Sequence, residues 1–532
     1  MKVVICSMNS KFVHAALAPW CLKSGLTQYG AEAEAAVVEP TVNQPLGEAL
    51  QMILQHEPQL VGFCCYIWNI EKVLSLCGAL KALDPAIQTV LGGPEVSSRA
   101  EAVLRDYPQV DKVIEGPGEY AFAQVCKGEK NVPGVHSHEG FTPPVPLPQP
   151  PLSPFTEEYF AQLNGRMAYI ETSRGCPFRC AFCLSGGREA VTFFDLDECL
   201  KDLVRLAQSG VKTVKLVDRT FNCRRERAQA IWKYLIARHA AGAFHDVCFH
   251  FEVGADLFNE EDIAILNSAP KGLFQIEAGL QSFHGPALDA CGRHTDMAKL
   301  TANLRALIAP GNLHVHIDLI AGLPHEGFET FTDSFDKAFA LRPHALQLGF
   351  LKLLYGSRLR AETQQWGYRF TPYPPYEILQ NDFITYPQLQ ALKRAEAALD
   401  AYYNTGRFPR SLETLLQTHA PYQLFQLLGD RMARDPGTPA PAKLALYLYE
   451  MGGAALRDDI ALDLTCQGEK LPKFLQIDDP RLAPAFNRAQ AEYSKGRLLG
   501  RCMLYDPPRL AVADLPARDP VTRQVPVRYF EV

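Results

Sequence analysis

The chain has 532 residues, 47% of them hydrophobic and 21% charged, with 53 Lys and Arg against 59 Asp and Glu for a formal net charge of −6. A single core rarely grows past about 250 to 300 residues, so several domains are expected, three by the pattern that follows. Charges of both signs are interspersed with no concentrated basic face, which argues against a nucleic-acid partner, and no stretch approaches the roughly eighteen apolar residues of a membrane-spanning helix.

Residues 1 to 130 alternate short apolar runs with amphipathic segments. Val3 to Cys6, Ala35 to Glu39, Leu60 to Cys65, Thr89 to Leu91 and Lys112 to Ile114 read as strands, while Ile70, Val73, Leu74, Cys77 and Leu80 fall at helical spacing. Five such repeats predict a doubly wound, Rossmann-like parallel sheet, whose ligands bind outside the carboxyl ends of the strands. Those ends carry Asn9-Ser10, Trp68-Asn69, Gly92-Gly93-Pro94-Glu95 and Glu115-Gly116-Pro117-Gly118-Glu119. Ordinary turn chemistry accounts for any one of these loops; four on one edge favour a ligand. The last two loops resemble the cobalamin-binding-type domain that precedes the core in one class of radical S-adenosylmethionine (SAM) proteins. That resemblance implies cobalamin near Trp68, Gly92, Gly93, Glu95, Gly116 and Gly118. The D-x-H-x-x-G motif that supplies a cobalt-ligating histidine is absent from this sequence. His14, near the end of the first strand, either touches a cofactor or starts a helix.

The fifteen cysteines are odd in number and several lie in apolar runs such as Gly62-Phe63-Cys64-Cys65-Tyr66, a distribution expected of reduced thiols in a cytoplasmic protein. Met1 to Cys6 is too short for the apolar region of a secretory signal. Residues 131–165 are expected to be a linker, extended where Pro143 to Pro154 carries a proline at most positions.

From 166 to 365 six strands are predicted, at Met167 to Ile170, Val214 to Val217, Val247 to Val253, Leu273 to Leu280, Val315 to Ile320 and Leu346 to Leu354. Their spacing leaves room for a helix after each, as in a partial (β/α)6 barrel with its active site at the strands' carboxyl ends. Behind the first strand comes Cys176-Pro177-Phe178-Arg179-Cys180-Ala181-Phe182-Cys183. Three thiolates at C-x3-C-x2-C spacing suit an iron–sulfur cube with one iron left open, whereas a structural zinc normally wants a fourth Cys or His near its partners, and the next is Cys199. With Phe182 before the last cysteine, the motif resembles the signature of the radical SAM superfamily. The resemblance implies that Cys176, Cys180 and Cys183 hold a [4Fe-4S] cluster. S-adenosylmethionine then chelates the free iron and is cleaved to a 5′-deoxyadenosyl radical, with an electron donor such as flavodoxin or ferredoxin.

Polar residues collect at the other strand ends: Asp218 and Asn222, Glu252 and Asp256, then Glu277-Ala278-Gly279-Leu280-Gln281-Ser282. The last resembles the E-x-G-x-Q-S segment of the cobalamin-associated class, with Arg293 following. By that likeness Glu277, Gln281 and Arg293 help seat S-adenosylmethionine, and the backbone at Phe182 reaches its adenine. Gly322-Leu323-Pro324-His325-Glu326 is similar to the family's G-L-P-G-E turn, with histidine where glycine is usual. Lys352 and Tyr355, closing the sixth strand, are candidates to face substrate.

Residues 366–532 read as helix-rich, with Leu389, Leu392, Ala395, Leu399 and Tyr402 on one face. Tyr373 to Leu379 and Tyr402 to Phe408 look like the uncharacterised C-terminal extension of one subgroup. The expected activity is a cobalamin-dependent radical C-methyltransferase acting on a small-molecule or peptide substrate. Alternatives are a radical cyclase or rearrangement enzyme, a methylthiotransferase, and a cofactor-binding sensor or scaffold.

Overall fold

The computed structural model describes residues 1–532 except 186–189, 436, 477–478 and 495. It divides into two compact units: Met1–Leu257 with Cys291–Arg293 and Lys352–Ile378, and Phe258–Ala290 with His294–Leu351 and Leu379–Val532. These divisions differ from the sequence-derived boundaries at 130, 165 and 365. One reason lies in the second unit, where the C-terminal segment packs on earlier strands and helices. The Asn404 amide bonds both the N–H and the C=O of Leu346, and the Tyr422 N–H donates to Asp336.

The first unit opens with strands β1 (Lys2–Cys6), β2 (Glu34–Val38), β3 (Leu60–Cys64), β4 (Gln88–Gly92) and β5 (Lys112–Ile114). They are parallel, in the order β2-β1-β3-β4-β5. All of β3 is buried, as a central strand covered on both faces should be. One apolar cluster gathers Val4, Val61, Leu76 and Leu91; another gathers Ile5, Val90 and Phe122. The order reverses between β1 and β3, the position where sheets of this topology bind ligands.

The expected linker is more structured than its prolines suggest. Strands β6 (Val135–Ser137) and β7 (Gly140–Phe141) form a hairpin that extends the sheet antiparallel from β5, and a helix spans Glu157–Leu163. Residues 143–155 have no regular structure, as predicted. The Gln28 side chain holds them, donating to the Pro150 carbonyl and accepting from the Leu152 N–H.

Still in the first unit, β8 (Ala168–Ile170) leads to a two-residue pairing of β9 (Ser173–Arg174) with β10 (Thr192–Phe193). β11 (Thr213–Leu216) then pairs parallel with both β8 and β12 (Cys248–Val253). The second unit holds β13 (Phe274–Gln281), β14 (His314–Ala321) and β15 (Ala345–Phe350), again parallel and in chain order. The six strands match those predicted, except that the last stops at Phe350, so Lys352 and Tyr355 lie beyond it. In β13 and β14 fully buried residues alternate with half-buried ones. Apolar residues such as Ile276 and Ile317 fill one face, while Glu277, Gln281, His316 and Asp318 stand on the other.

The C-terminal segment opens with two short paired strands, Arg369–Phe370 and Ile378–Gln380, is helical as expected from Tyr386 to Gln490, and then makes a three-stranded antiparallel sheet of Leu499–Tyr505, Pro508–Asp514 and Val527–Phe530. Its core alternates weakly, with Cys502, Met503 and Leu504 all buried in a row, which hides the period of two.

Helices Ala18–Gln28 and Gly118–Cys126 pack closely because each supplies a glycine. A Cβ at Gly25 would stand 2.8 Å from the Glu119 carbonyl oxygen, whereas one at Gly47 meets nothing within 4 Å. Gly25→Ala is therefore expected to destabilise the N-terminal sheet by about 1–3 kcal/mol. Gly47→Ala should leave it unchanged or stabilise it by about 0.4–1 kcal/mol; thermal denaturation of the two variants side by side checks the contrast.

Candidate active site

The cysteine loop leaves β8 and is fastened at its start by charge. Asp218, buried at the end of β11, accepts the Thr172 N–H at 3.0 Å, the Thr172 hydroxyl at 2.7 Å and the Ser173 hydroxyl at 2.6 Å. Burial raises its pKa, and those three hydrogen bonds pull the other way. Arg174 then reaches two carboxylates, Glu171 at 2.6 Å and Glu119 at 2.8 Å. Glu119 is buried in the first turn of the helix that follows the Glu115–Gly118 loop. Burial also raises the pKa of Glu171, with Arg174 opposing.

Each thiol of the triad has a polar neighbour from a different place. Cys176 Sγ is 3.4 Å from the Thr220 hydroxyl, Cys180 Sγ accepts from Arg293 Nη1 at 3.7 Å, and Cys183 Sγ accepts from the Ser185 N–H at 3.4 Å. All three cysteines are half-buried, and Phe182 stands half-buried among them. The loop backbone is pinned on both sides, the Ala181 N–H donating to Cys291 and the Ala181 carbonyl accepting from Leu359. Burial raises the Cys180 pKa, and the Arg293 guanidinium opposes it, favouring the thiolate that binds metal.

The donor set fits a cube better than a single ion. A tetrahedral zinc with Zn–S bonds of about 2.3 Å draws its sulfurs to one point. Among the described residues no group of three or more His, Cys, Asp and Glu could hold a metal ion in that way. Thiolates that bind three different irons of a [4Fe-4S] cluster need not converge so closely, and Cys–N–H and Cys–Arg contacts are the outer partners such sulfurs use.

At the carboxyl edge of the N-terminal sheet, Trp68 is 48% exposed and stacks on Tyr66 with ring centroids 4.4 Å apart. Its indole N–H donates to the Met8 carbonyl, so the platform spans the switch point between β1 and β3. The glycines divide. A Cβ at Gly93 would lie 2.5 Å from the Cys65 carbonyl oxygen, so backbone packing alone explains that glycine, whereas one at Gly118 would meet only the end of the Leu22 side chain, at 2.9 Å. Gly92 and Gly116 have only ordinary contacts and remain open to a ligand. Glu95 does not stand at the edge: it is 4% exposed and bonded to Arg99 and Tyr376. His14 pairs instead with Tyr169, its Nδ1 2.6 Å from the hydroxyl.

In the second unit Glu277 and Gln281 lie on the polar face of β13. The register shifts between Gly279 and Gln281, Gln281 adopts φ +72°, and its buried side-chain oxygen has no hydrogen-bond partner among the described residues. A left-handed non-glycine residue and an unsatisfied amide oxygen are what a ligand-facing residue would leave behind. His325 adopts φ +63°, the conformation glycine would take at that turn. Glu326 behind it is fully buried, accepts the Ser282 and Ser334 hydroxyls at 2.5 and 3.1 Å, and is pushed by burial to about 7.

Asn222 and Glu252 serve the scaffold. Asn222 bonds the N–H and C=O of Gly254, and Glu252 pairs with Lys215 at 3.1 Å. Sequence reading missed Glu119 and Arg174 as a pair and gave Arg293 to S-adenosylmethionine without its contact to Cys180 Sγ.

Residues 5–126 match the family model of the B12 binding domain, residues 170–338 that of the radical SAM superfamily, and residues 364–433 a protein family of unknown function (DUF4080). The chain carries a B12-binding domain and a radical SAM domain. Its cofactors are thereby S-adenosylmethionine, a [4Fe-4S] cluster and cobalamin. It is 26% identical over 302 residues to the 2-(S-pantetheinyl)-carbapenam-3-carboxylate methyltransferase of Streptantibioticus cattleyicolor, covering 52% of this chain and 44% of that protein. It is 26% identical over 345 residues to the cobalamin-dependent radical SAM methyltransferase TokK of Streptomyces tokunonensis, covering 59% and 50%. The chain thus spans about half the length of these curated relatives. Among solved structures, the cobalamin-dependent S-adenosylmethionine radical enzyme OxsB with aqua-cobalamin bound shares the fold at TM-score 0.61 and 14% identity, over 87% of this chain and 78% of that one. The radical S-adenosylmethionine methyltransferase TsrM of Kitasatospora setae, with cobalamin and a [4Fe-4S] cluster bound, does so at 0.57 and 18%, over 70% and 78%.

The radical SAM turn yields a pH prediction. A carboxyl whose folded pKa is about 7 against an ordinary 4.5 binds more protons folded than unfolded between those values. Its contribution to stability is whole below the lower value and is lost as pH rises through the upper one. Glu326→Gln keeps an acceptor for both serines and removes the titration, so it should raise the denaturation midpoint of the apoprotein at pH 8 and change it little near pH 5.

Proposed function

We propose that the chain is a cobalamin-dependent radical SAM enzyme that transfers a methyl group to carbon in a small-molecule or peptide substrate. The observation that carries this reading is Arg174, which joins the cysteine loop to Glu119 beside the Gly116–Gly118 turn, so one charge cluster positions both cofactor-binding regions. Cys176, Cys180 and Cys183 would hold the cluster, Trp68, Gly92 and Gly116 would face the cobalamin, and Glu277 and Gln281 would seat S-adenosylmethionine. With those groups bound, the cluster and S-adenosylmethionine supply a 5′-deoxyadenosyl radical and the cobalamin supplies the methyl group. The chain's own part is to orient them: Asp218 fixes where the cysteine loop begins, and Arg293 favours the ionised form of Cys180. The curated relatives named as methyltransferases support the reaction type, and a low-potential donor such as flavodoxin or ferredoxin would reduce the cluster.

A methylthiotransferase is less well supported. Cys6, Cys64, Cys65 and Cys77 are buried in the core of the N-terminal sheet and burial raises their pKa values, that of Cys64 to about 12, so they behave as apolar packing groups and not as ligands of a second cluster. No helix is long and apolar enough to cross a membrane among the described residues, and all fifteen cysteines are free thiols. These facts accord with a reducing, cytoplasmic setting.

Anaerobic reconstitution with iron, sulfide and hydroxocobalamin, followed by dithionite and S-adenosylmethionine, tests the proposal. Both 5′-deoxyadenosine and S-adenosylhomocysteine should form, and deoxyadenosine alone would argue for non-methylating radical chemistry. Cys180→Ala should lose the cluster's visible absorbance and cleavage together; cleavage that survives the substitution would sink the assignment of the triad.

A further inference from the structure

We propose that Tyr376, carried by the segment that matches a family of unknown function, is a positioning residue for cobalamin: its hydroxyl locks the Gly92–Glu95 loop at the carboxyl edge of the B12-binding sheet. The proposal rests on the cobalamin reading and gives the C-terminal segment a part in it.

Tyr376 is 1% exposed and lies 281 residues from its partner, yet its hydroxyl donates to Glu95 Oε1 at 2.6 Å. Arg99 donates to the same oxygen at 2.6 Å, so the Glu95 carboxylate is committed inside the protein. Two guanidiniums complete the cluster. Arg360 lies 3.5 Å from the Tyr355 ring centroid and 4.8 Å from that of Tyr376, and Arg99 lies 4.5 Å from Tyr355. Tyr376 itself holds φ +56°, a conformation rare for an aromatic residue and maintained here by its surroundings. The Tyr376 carbonyl accepts from the Leu353 N–H, and the Lys352 and Glu377 backbones form a bridge, so the arm that bears the ring is anchored.

The loop that receives this hydroxyl is in direct contact with the Trp68 platform. The Cys65 N–H donates to the Gly92 carbonyl at 2.7 Å, and Gly93 packs so closely on Cys65 that a Cβ there would be 2.5 Å from its carbonyl oxygen. Cys65 is followed at once by Tyr66, the ring on which Trp68 stacks. A displaced Glu95 therefore moves Gly92, Cys65 and the exposed indole together. Removing one donor from a buried carboxylate leaves it under-satisfied, and the loop would relax toward water.

The test uses the full-length, cluster-reconstituted protein and hydroxocobalamin as the probe. Tyr376→Phe should raise the dissociation constant, read from the shift of the corrin absorbance, by about tenfold, speed amide exchange over residues 92–97, and leave the iron content unchanged. Glu95→Gln keeps an acceptor for the hydroxyl and should raise the constant less. A folded Tyr376→Phe variant that binds hydroxocobalamin as the unsubstituted protein does, with only its denaturation midpoint lowered, overturns the proposal. Should that variant fail to fold, an unchanged constant in Glu95→Ala, which removes the acceptor, overturns it instead. Failure of the unsubstituted protein to take up hydroxocobalamin would overturn the cobalamin reading itself, and is told apart because no variant is then needed.

Discussion

The site depends first on a single guanidinium. Arg174 sits between Glu171 and Glu119, two carboxylates withdrawn from water, and an unpaired buried carboxylate costs several kcal/mol, about 3–5 when a partner is removed. The loop that carries the three cysteines thus cannot drift from the edge of the N-terminal sheet without stranding Glu119. A second pair works on the other side of the same strand. Arg166 reaches Glu39 at 2.6 Å, and the other Glu39 oxygen accepts the Ala16 N–H. Strand β8 is therefore held at both ends to the loops that follow β1, β2 and β5, the edge on which a ligand of that sheet would rest.

Asp218 adds directionality to this arrangement. Its three hydrogen bonds all go to Thr172 and Ser173, so the turn into the cysteine motif is specified by an acceptor from a neighbouring strand before any metal is considered. The sulfurs then meet polar partners from three separate places, the Thr220 hydroxyl after β11, Arg293 in a short segment far along the chain, and the backbone N–H of Ser185. Such dispersal suits a polynuclear centre, whose ligands are spread around it.

What could be read from the sequence was what is local. Strand periods, the cysteine spacing, the glycine-rich turns and Trp68 are all set within a few residues, and the strands of residues 1–130 and 166–365 lie where expected. What could not be read were partnerships set by the fold. Gly93 looks like a ligand glycine in sequence, and only the position of the Cys65 backbone shows that packing already requires it. Glu95 looked like an edge residue because nothing near it in sequence reveals Tyr376. Arg293 was recognised as a candidate, but its neighbour Cys180 is more than a hundred residues away. The C-terminal sheet escaped notice because three consecutive buried residues blur its alternation.

The polar face of β13 and β14 shows how the same backbone serves stability and chemistry. Alternation places Ile276, Ala278, Ile317 and Leu319 in the core, and the intervening positions are freed to carry Glu277, Gln281, His316 and Asp318. In a strand buried on both faces those residues would be costly. Here they are half-buried, Glu277 lies opposite His316 in register, and His316 approaches Asp318 at 3.3 Å. Gln281 departs from the regular ladder at the carboxyl end, where the bulge turns its amide away from strand geometry and leaves the oxygen without a partner among the described residues. A buried amide oxygen in that condition is worth about 1–3 kcal/mol to whatever donor satisfies it. The strand ends in a demand for a hydrogen-bond donor, and the hydroxyls and ammonium of S-adenosylmethionine are donors of the right kind.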